Sequence, residues 1–353
     1  MQSTNLIFTD NLRNSLKQWL ADYAPTQVYV LCDEHTNALC LPLINNLDSL
    51  KSAHFMTIPA GDQHKNVETL SAVWQFLSQN GATRKSVLLN VGGGMVSDLG
   101  GFAAASFKRG IDVINLPTTI LAAVDASVGG KTGINFNGLK NEIGAFHLPK
   151  AVLFYAPFFH SLDRDNILSG FAEMLKHGLL SDETYLGELM SLDLEQPGNT
   201  AFLDAIKRSV EIKADITEKD PQEKGLRKAL NLGHTAGHAF EALSHHRNEP
   251  VLHGYAIAWG LICELYLASK LLGFPSQTLH QVIQFVKNRY GIFQITCQDY
   301  PFLYEAMTHD KKNDTKAINF TLLSNVGTIC LNQTADKSLI DEMLDFYRDA
   351  MGI

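Results

Sequence analysis

Residues 86–104 read SVLLNVGGGMVSDLGGFAA. A short apolar run, three successive glycines (Gly92, Gly93 and Gly94) and a segment with helical spacing give the order strand, tight turn, helix. Glycines at such a turn let backbone N–H groups approach a pyrophosphate closely, near a helix N-terminus. The run is not the spaced GxGxxG pattern, so two readings stand: a nucleotide diphosphate site, or only a tight βα turn.

The same alternation recurs on both sides. Residues 28–32, 55–59, 86–91, 113–116 and 152–155 read as strands, and stretches between them, such as 67–79, have helical spacing. That pattern predicts a Rossmann-like α/β domain with a mostly parallel sheet, whose ligands sit at the carboxyl ends of the strands. Asp33 ends the first of these strands. It is either an acceptor for an adenosine hydroxyl or an ordinary turn aspartate. After Pro157 the pattern changes, and residues 162–180, 201–218, 230–243, 254–272 and 276–290 all read as helices. Residues 318–323 and 328–331, joined through Ser324-Asn325-Val326-Gly327, read as one late hairpin. The expectation is an α/β domain over 1–155 and an all-α domain, apart from that hairpin, over 156–353. An active site is expected between the two.

Composition bounds the class. A chain of 353 residues is long enough for two domains, and 45% apolar content is globular. A net charge of −8 argues against non-specific nucleic-acid binding. No basic start precedes an apolar run, so no signal peptide is expected, and no uninterrupted apolar stretch approaches the ~18 residues of a membrane span. The five cysteines are dispersed and form no CxxC, which fits a reducing cytoplasm.

The chemistry concentrates in residues 229–241, ALNLGHTAGHAFE. His234 and His238 are four residues apart and share one face of a helix. His253 follows in LHGYAIAWG, at the start of another helix, and Glu173 lies upstream in SGFAEMLKHG. Three such ligands with one open position suit catalytic Zn²⁺. The alternative, a structural or solvated histidine pair, stays open, and no glutamate between the two supplies the base of an HExxH site. Cationic residues recur in glycine-rich or polar stretches: Arg109, Lys131, Lys140 and Lys311; Lys176, Lys213 and Arg227 lie in or near helices. Each alone reads as a solvated charge. Lys131 and Lys140 stand beside Gly129, Gly130, Gly133 and Gly138, which favour close backbone approach to a ligand. A cationic cluster in an acidic chain suits a phosphorylated or carboxylated substrate.

Taken together, GGGMVSDLGGFAAASFKRG, LPTTILAAVDASVGGKTGIN, GLKNEIGAFHLP, GFAEMLKHG, GLRKALNLGHTAGHAFEAL, LHGYAIAWG and HDKKND run collinearly from residue 92 to 314. With these motifs the chain resembles the dehydroquinate synthase family of sugar-phosphate cyclases. The resemblance implies a homodimeric, cytoplasmic carbon–oxygen lyase that uses NAD and Zn²⁺ (or Co²⁺). It implies Glu173, His234 and His253 as the metal ligands, which moves His238 from ligand to substrate contact. Asp125, Lys131, Lys140, Asn141, Lys176, Lys213, Arg227, Asn231, His238 and Lys311 match the family's substrate pocket. Lys131, Lys176, Lys213, Arg227, Asn231 and His238 are the catalytic set among them. Arg109 matches a residue that reaches the phosphate of the neighbouring subunit's substrate. Asp33, Asp62, Lys65, Gly93, Gly94, Asp98, Thr118 and Thr119, with Lys131 and Lys140, match NAD contacts, and Asp62 stands where the family often has Glu. The implied substrate is 3-deoxy-D-arabino-heptulosonate 7-phosphate. The implied course is transient oxidation at C5, phosphate elimination, reduction, ring opening and aldol closure to 3-dehydroquinate. Alternatives are another cyclase making an inosose or a valiolone, a metal-dependent polyol dehydrogenase of the glycerol dehydrogenase type, and a non-catalytic sensing module.

Overall fold

The computed structural model describes residues 4–308 and 318–353. The chain divides into two compact units, Met1–Asp163 with Glu195–Ala214, and Arg164–Leu194 with Asp215–Ile353. The division is therefore not one cut in the sequence, because residues 195–214 return to the first unit.

In the first unit the chain runs β1 (Asn5–Thr9), α1 (Leu12–Tyr23), β2 (Val28–Asp33), α2 (Glu34–Leu39), β3 (His54–Ile58), α3 (Val67–Gln79), β4 (Val87–Gly92), α4 (Gly94–Ser106), β5 (Asp112–Pro117), β6 (Lys131–Phe136), β7 (Leu139–Phe146) and β8 (Ala151–Tyr155). Six strands form a parallel sheet in the order β1-β8-β5-β4-β2-β3. Val91 on β4 pairs with Cys32 on β2 and Leu116 on β5, so the carboxyl ends of the three strands lie level. The strand after β2 is added on one side and the strand after β4 on the other. The crevice between the ends of β2 and β4 is thus a topological switch point, where such sheets bind ligands. One face of the sheet packs Tyr29, Leu31, Leu88 and Val113 against Leu70, Val73 and Leu77 of α3 and Val96, Leu99 and Ala103 of α4. The remaining strands, β6 and β7, form an antiparallel hairpin that packs on α4. That hairpin and β1 have no counterpart in the strands read from sequence.

Next come α5 (Arg164–Ser181), α6 (Glu183–Met190), α7 (Thr200–Lys219), α8 (His234–His246), α9 (His253–Leu272), α10 (Ser276–Tyr290), α11 (Tyr300–Thr308), β9 (Ile318–Asn325), β10 (Thr328–Ala335) and α12 (Lys337–Met351). The second unit is mostly helical and carries the antiparallel β9–β10 hairpin. Helix α9 is long and apolar enough to cross a membrane by composition, but most of it is buried against α5, α8, α10 and α12. A helix that is apolar all round is the expected centre of a helical core.

Two glycines of α9 set the distances between these helices. A Cβ on Gly254 would stand 1.9 Å from the Ser169 carbonyl oxygen of α5, and one on Gly260 would stand 2.1 Å from the Gly233 carbonyl oxygen before α8. Both obstacles are backbone, which cannot rotate away. Gly260→Ala should therefore lower stability by about 2 kcal/mol or more through overpacking, despite alanine's better helix propensity. Chemical denaturation tests this, and unchanged stability would mean that α8 and α9 can separate freely.

Candidate active site

The close helices bring three ligands together. Glu173 lies in the middle of α5, His234 is the first residue of α8 and His253 is the first of α9. Glu173 Oε1 is 3.5 Å from His234 Nε2 and 3.6 Å from His253 Nε2. The three donor atoms lie within 4.8 Å of one another. Glu173 is fully buried, and its Oε1 has no hydrogen-bond donor. A buried carboxylate oxygen without a donor is costly, and a divalent cation would satisfy it. The other oxygen, Oε2, accepts from the buried Lys176 ammonium. Burial raises the Glu173 carboxyl, but Lys176 and His253 outweigh it and hold the group below its ordinary range.

The rings are oriented from behind. His234 Nδ1 lies 3.1 Å from the Leu232 carbonyl oxygen, and His253 Nδ1 lies 3.4 Å from Glu241 Oε2. Each ring thus spends Nδ1 on an outer partner and turns Nε2 toward Glu173, the usual arrangement behind a metal-bound histidine. The corner before α8 has its own support. Gly233 leaves α8 without a side-chain cap, and the buried Glu264 of α9 supplies one across the helix pair. Gly233 N–H donates to Glu264 Oε2 at 2.6 Å, and Ala236 N–H donates to Oε1 at 3.1 Å.

His238 is exposed and belongs to a second grouping, with Glu241 and His253. Its ring centroid is 5.2 Å from that of His234 and 5.8 Å from that of His253. Arg227 and Asn231 sit on the short helical turn Leu226–Asn231. Arg227 is almost fully buried. Its Nη1 donates to the Pro221 carbonyl at 2.9 Å, and its backbone N–H donates to Asp220 Oδ2 at 3.0 Å. Asn231 Nδ2 donates to Glu223 Oε1 at 2.8 Å, and Glu223 holds a left-handed backbone, φ +58°. Sequence reading overlooks Glu223, Glu241 and Glu264. For Glu264 a signal exists, a charge inside the apolar run of α9. For Glu223 the strained backbone appears only in three dimensions.

In the first unit, the residues matched to dinucleotide contacts follow the carboxyl ends of β2, β3, β4 and β5. Gly93 stands at the N-cap of α4 and offers no side-chain cap, which leaves first-turn N–H groups for an anion. Thr118 N–H donates to the Gly92 carbonyl at 3.0 Å, and the buried Thr118 hydroxyl has no partner. Lys65 Nζ lies 3.1 Å from Asp98 Oδ2 and 3.5 Å from Asp62 Oδ1. Burial lowers the Lys65 ammonium, but the two carboxylates outweigh it and raise it above its ordinary value. Asp33 caps α2, and its Oδ1 accepts from Thr36 N–H at 2.8 Å. Asp125 lies in the wide turn Ala122–Ala126, and Lys213 donates to its carboxylate and to its carbonyl. Lys131 opens β6, while Lys140 and Asn141 lie on β7; Lys140 Nζ is 3.8 Å from Asp62 Oδ2. Arg109 follows Lys108 in a strained turn, with φ +65° and +51°. Lys311 lies outside the described residues.

Comparison with known proteins decides the family. Residues 55–169 match the family model "3-dehydroquinate synthase N-terminal", and residues 170–313 match its C-terminal counterpart. A 3-dehydroquinate synthase of Parabacteroides distasonis is 47% identical over 353 residues, covering 100% of both chains. The chain belongs to the 3-dehydroquinate synthase family. A Staphylococcus aureus family member is 35% identical over 91% of each chain. Among solved structures, a Streptomyces hygroscopicus 2-epi-5-epi-valiolone synthase with NAD⁺ and Zn²⁺ bound superposes with a TM-score of 0.86 at 22% identity, covering 98% of this chain and 97% of that one. A 2-deoxy-scyllo-inosose synthase complexed with carbaglucose-6-phosphate, NAD⁺ and Co²⁺ gives 0.83 at 23% identity, covering 97% and 96%. Both superpositions show the shared fold.

The geometry makes a direct prediction about metal. His253→Ala removes one of three ligands, and Glu173→Gln removes the anionic one. Each should lower Zn²⁺ affinity by at least about 100-fold. Equilibrium titration against a chelator of known affinity measures it. Full affinity in both variants would exclude this triad as the metal site.

Proposed function

We propose that this chain converts 3-deoxy-D-arabino-heptulosonate 7-phosphate into 3-dehydroquinate and inorganic phosphate. The end-to-end 47% identity with a family member carries the reading. The donor set at Glu173, His234 and His253 supports the metal it requires, and the crevice at the ends of β2 and β4 supports the dinucleotide. When bound, NAD supplies a reversible hydride acceptor, and Zn²⁺ or Co²⁺ supplies a Lewis acid for adjacent hydroxyls.

The chain's own residues divide the remaining work. Lys176 holds Glu173 Oε2, so Oε1 keeps facing the histidines. Arg227 presents a planar guanidinium suited to a carboxylate, which favours a sugar acid over the neutral sugars of other cyclases. Asn231, fixed by Glu223, and the exposed His238 offer hydrogen bonds to the hydroxyls. Lys131 and Lys140 suit the phosphate as point charges. Lys213 is held by Asp125 beside the dinucleotide turn. A ketone at C5 acidifies the C6 proton, and phosphate leaves from C7. The departing phosphate is itself the base, so no protein carboxylate need take the proton. Holding one substrate through elimination, ring opening and aldol closure requires contacts at many points. A polyol dehydrogenase has no use for this number of cationic positions.

The oligomer is a homodimer in this reading. Arg109, which matches a residue that reaches the neighbouring subunit's substrate, stands in a strained turn, and Leu139, Ile143 and Phe146 of β7 expose apolar side chains that a second copy could cover. All five cysteines are free thiols, which suits a cytoplasmic location.

Two experiments test the proposal. Phosphate release from the heptulosonate phosphate should require NAD at substoichiometric concentration, with phosphate far exceeding any NADH. Sustained NADH formation matching substrate loss one for one would identify a dehydrogenase instead. Arg109→Ala and Lys176→Ala proteins, each nearly inactive, should regain activity when their subunits exchange, because one of the heterodimer's two sites is intact. No recovery after verified exchange would place Arg109 in its own subunit's site.

A further inference from the structure

The hairpin and the loop after β3 carry different duties in the proposed function, and a residue assigned to neither joins them. Asn135 sits in β6 where the pairing with β7 shifts register, between Ile134 and Phe136. Released from the ladder, its backbone N–H donates to the Lys65 carbonyl at 2.7 Å. Its side-chain Nδ2 donates to the Asp62 carbonyl and to Asp62 Oδ2, both at 3.0 Å. Its Oδ1 accepts from Asn141 N–H at 3.0 Å, across the hairpin. Asn141 needs that anchor, because its backbone is left-handed with φ +51°. One primary amide thus serves two acceptor atoms on the loop and one donor on the hairpin. Only a group with both N–H and C=O can do so.

We propose that Asn135 is a positioning residue that locks the cofactor loop (Asp62, Lys65) to the hairpin residue matched to substrate alone (Asn141), so that each pocket half is presented in register with the other. The proposal rests on the assignment of Asp62 and Lys65 to NAD and of Asn141 to substrate. Its physical content is entropic: the Nδ2 donors order the loop against the hairpin and the Oδ1 acceptor orders the hairpin itself, each before its own ligand arrives.

Two variants of the full chain in its metal-loaded form separate the functions of the amide. Asn135→Asp keeps an oxygen for Asn141 N–H, but it cannot donate to Asp62 and sets a second carboxylate against it. NAD dissociation, followed by fluorescence titration without substrate, should weaken about tenfold. The KM for the heptulosonate phosphate should stay within about twofold of the parent value. Asn135→Ala removes both contacts, and it should weaken NAD and raise KM by about fivefold each. In both variants kcat should fall no more than about threefold, because no reacting group is touched. Asn135 is partly exposed, so neither change opens a core cavity. A merely structural role would lower the unfolding temperature and the active fraction in both variants without separating the two constants. Unchanged NAD affinity and KM in both variants, or equal shifts of the two in Asn135→Asp, would overturn the link. Lys65→Ala and Asn141→Ala are the controls. If Lys65→Ala leaves NAD binding intact or Asn141→Ala leaves KM intact, the site assignment falls and the link with it. If both controls weaken their ligands, the Asn135 variants alone decide.

Discussion

One carboxylate oxygen organises the second unit. Glu173 Oε1 is buried in a helix whose residues from Ile167 to Leu180 are all buried, and two imidazole nitrogens face it at 3.5 and 3.6 Å. Such a group is tolerable only with positive charge nearby. Lys176 supplies one charge within the same helix, and the histidines point to where a cation supplies the other. The requirement reaches outward through the packing. The histidines can converge on α5 only because they begin their helices there, and the helices can begin there only because Gly254 and Gly260 admit neighbouring backbone. Gly233 then cannot cap α8 with a side chain, so a charge from the middle of α9 does it. Ligand, glycine and capping carboxylate are successive consequences of one buried oxygen.

The first unit solves a different problem, the placement of polar groups at the open end of a sheet. The level carboxyl ends of β2, β4 and β5 deliver Asp33, Gly93 and Thr118 to one edge by register alone. Register cannot deliver the hairpin, which is outside the parallel sheet. It is fixed by close packing on α4, where a Cβ on Gly101 would stand 2.4 Å from Thr132 Cγ2, and by the bonds of Asn135.

What was legible in the sequence follows this difference. Strands β2, β4, β5 and β8 are continuous apolar runs because both faces are covered, and helices such as α10 show their spacing. The hairpin is not legible. Residues 131–146 carry three glycines, and β7 is exposed along nearly its whole length, so no alternation develops. Edge strand β1 is short and partly exposed, and it gives no stronger signal. At the site, spacing favours His234 with His238, the i, i+4 pair. The structure gathers His234 instead with residues 61 positions before it and 19 after it, at Glu173 and His253. No local pattern encodes such a set: residue type and helix position offer Glu173, His234, His238 and His253 as candidates, and only the match of several collinear motifs to a family removes His238 from them. Outer residues such as Glu241 and Asn135 are harder still, because each acts through a partner chosen by the fold.

The buried cations share one logic. Lys65, Lys176 and Lys213 are all nearly inaccessible, and each has a carboxylate: Asp98, Glu173 and Asp125. Replacing a buried ion pair by well-packed apolar residues is often neutral or stabilising, so three such pairs are poorly explained as devices of stability. They are better explained by what an unpaired ammonium would do inside a protein. It would shed its proton, or swing toward any anion within reach of its flexible stem. The carboxylates of Asp98 and Asp62 prevent the first outcome at Lys65, whose ammonium stays charged despite burial. At Lys213 and Lys176, a partner on the same turn or in the same unit fixes where the nitrogen stands. Positive charges fixed in advance suit the roles proposed for these lysines, toward NAD at Lys65 and toward a substrate with a carboxylate and a phosphate at Lys176 and Lys213. Pairing them in advance sacrifices part of their attraction for ligand in return for geometry.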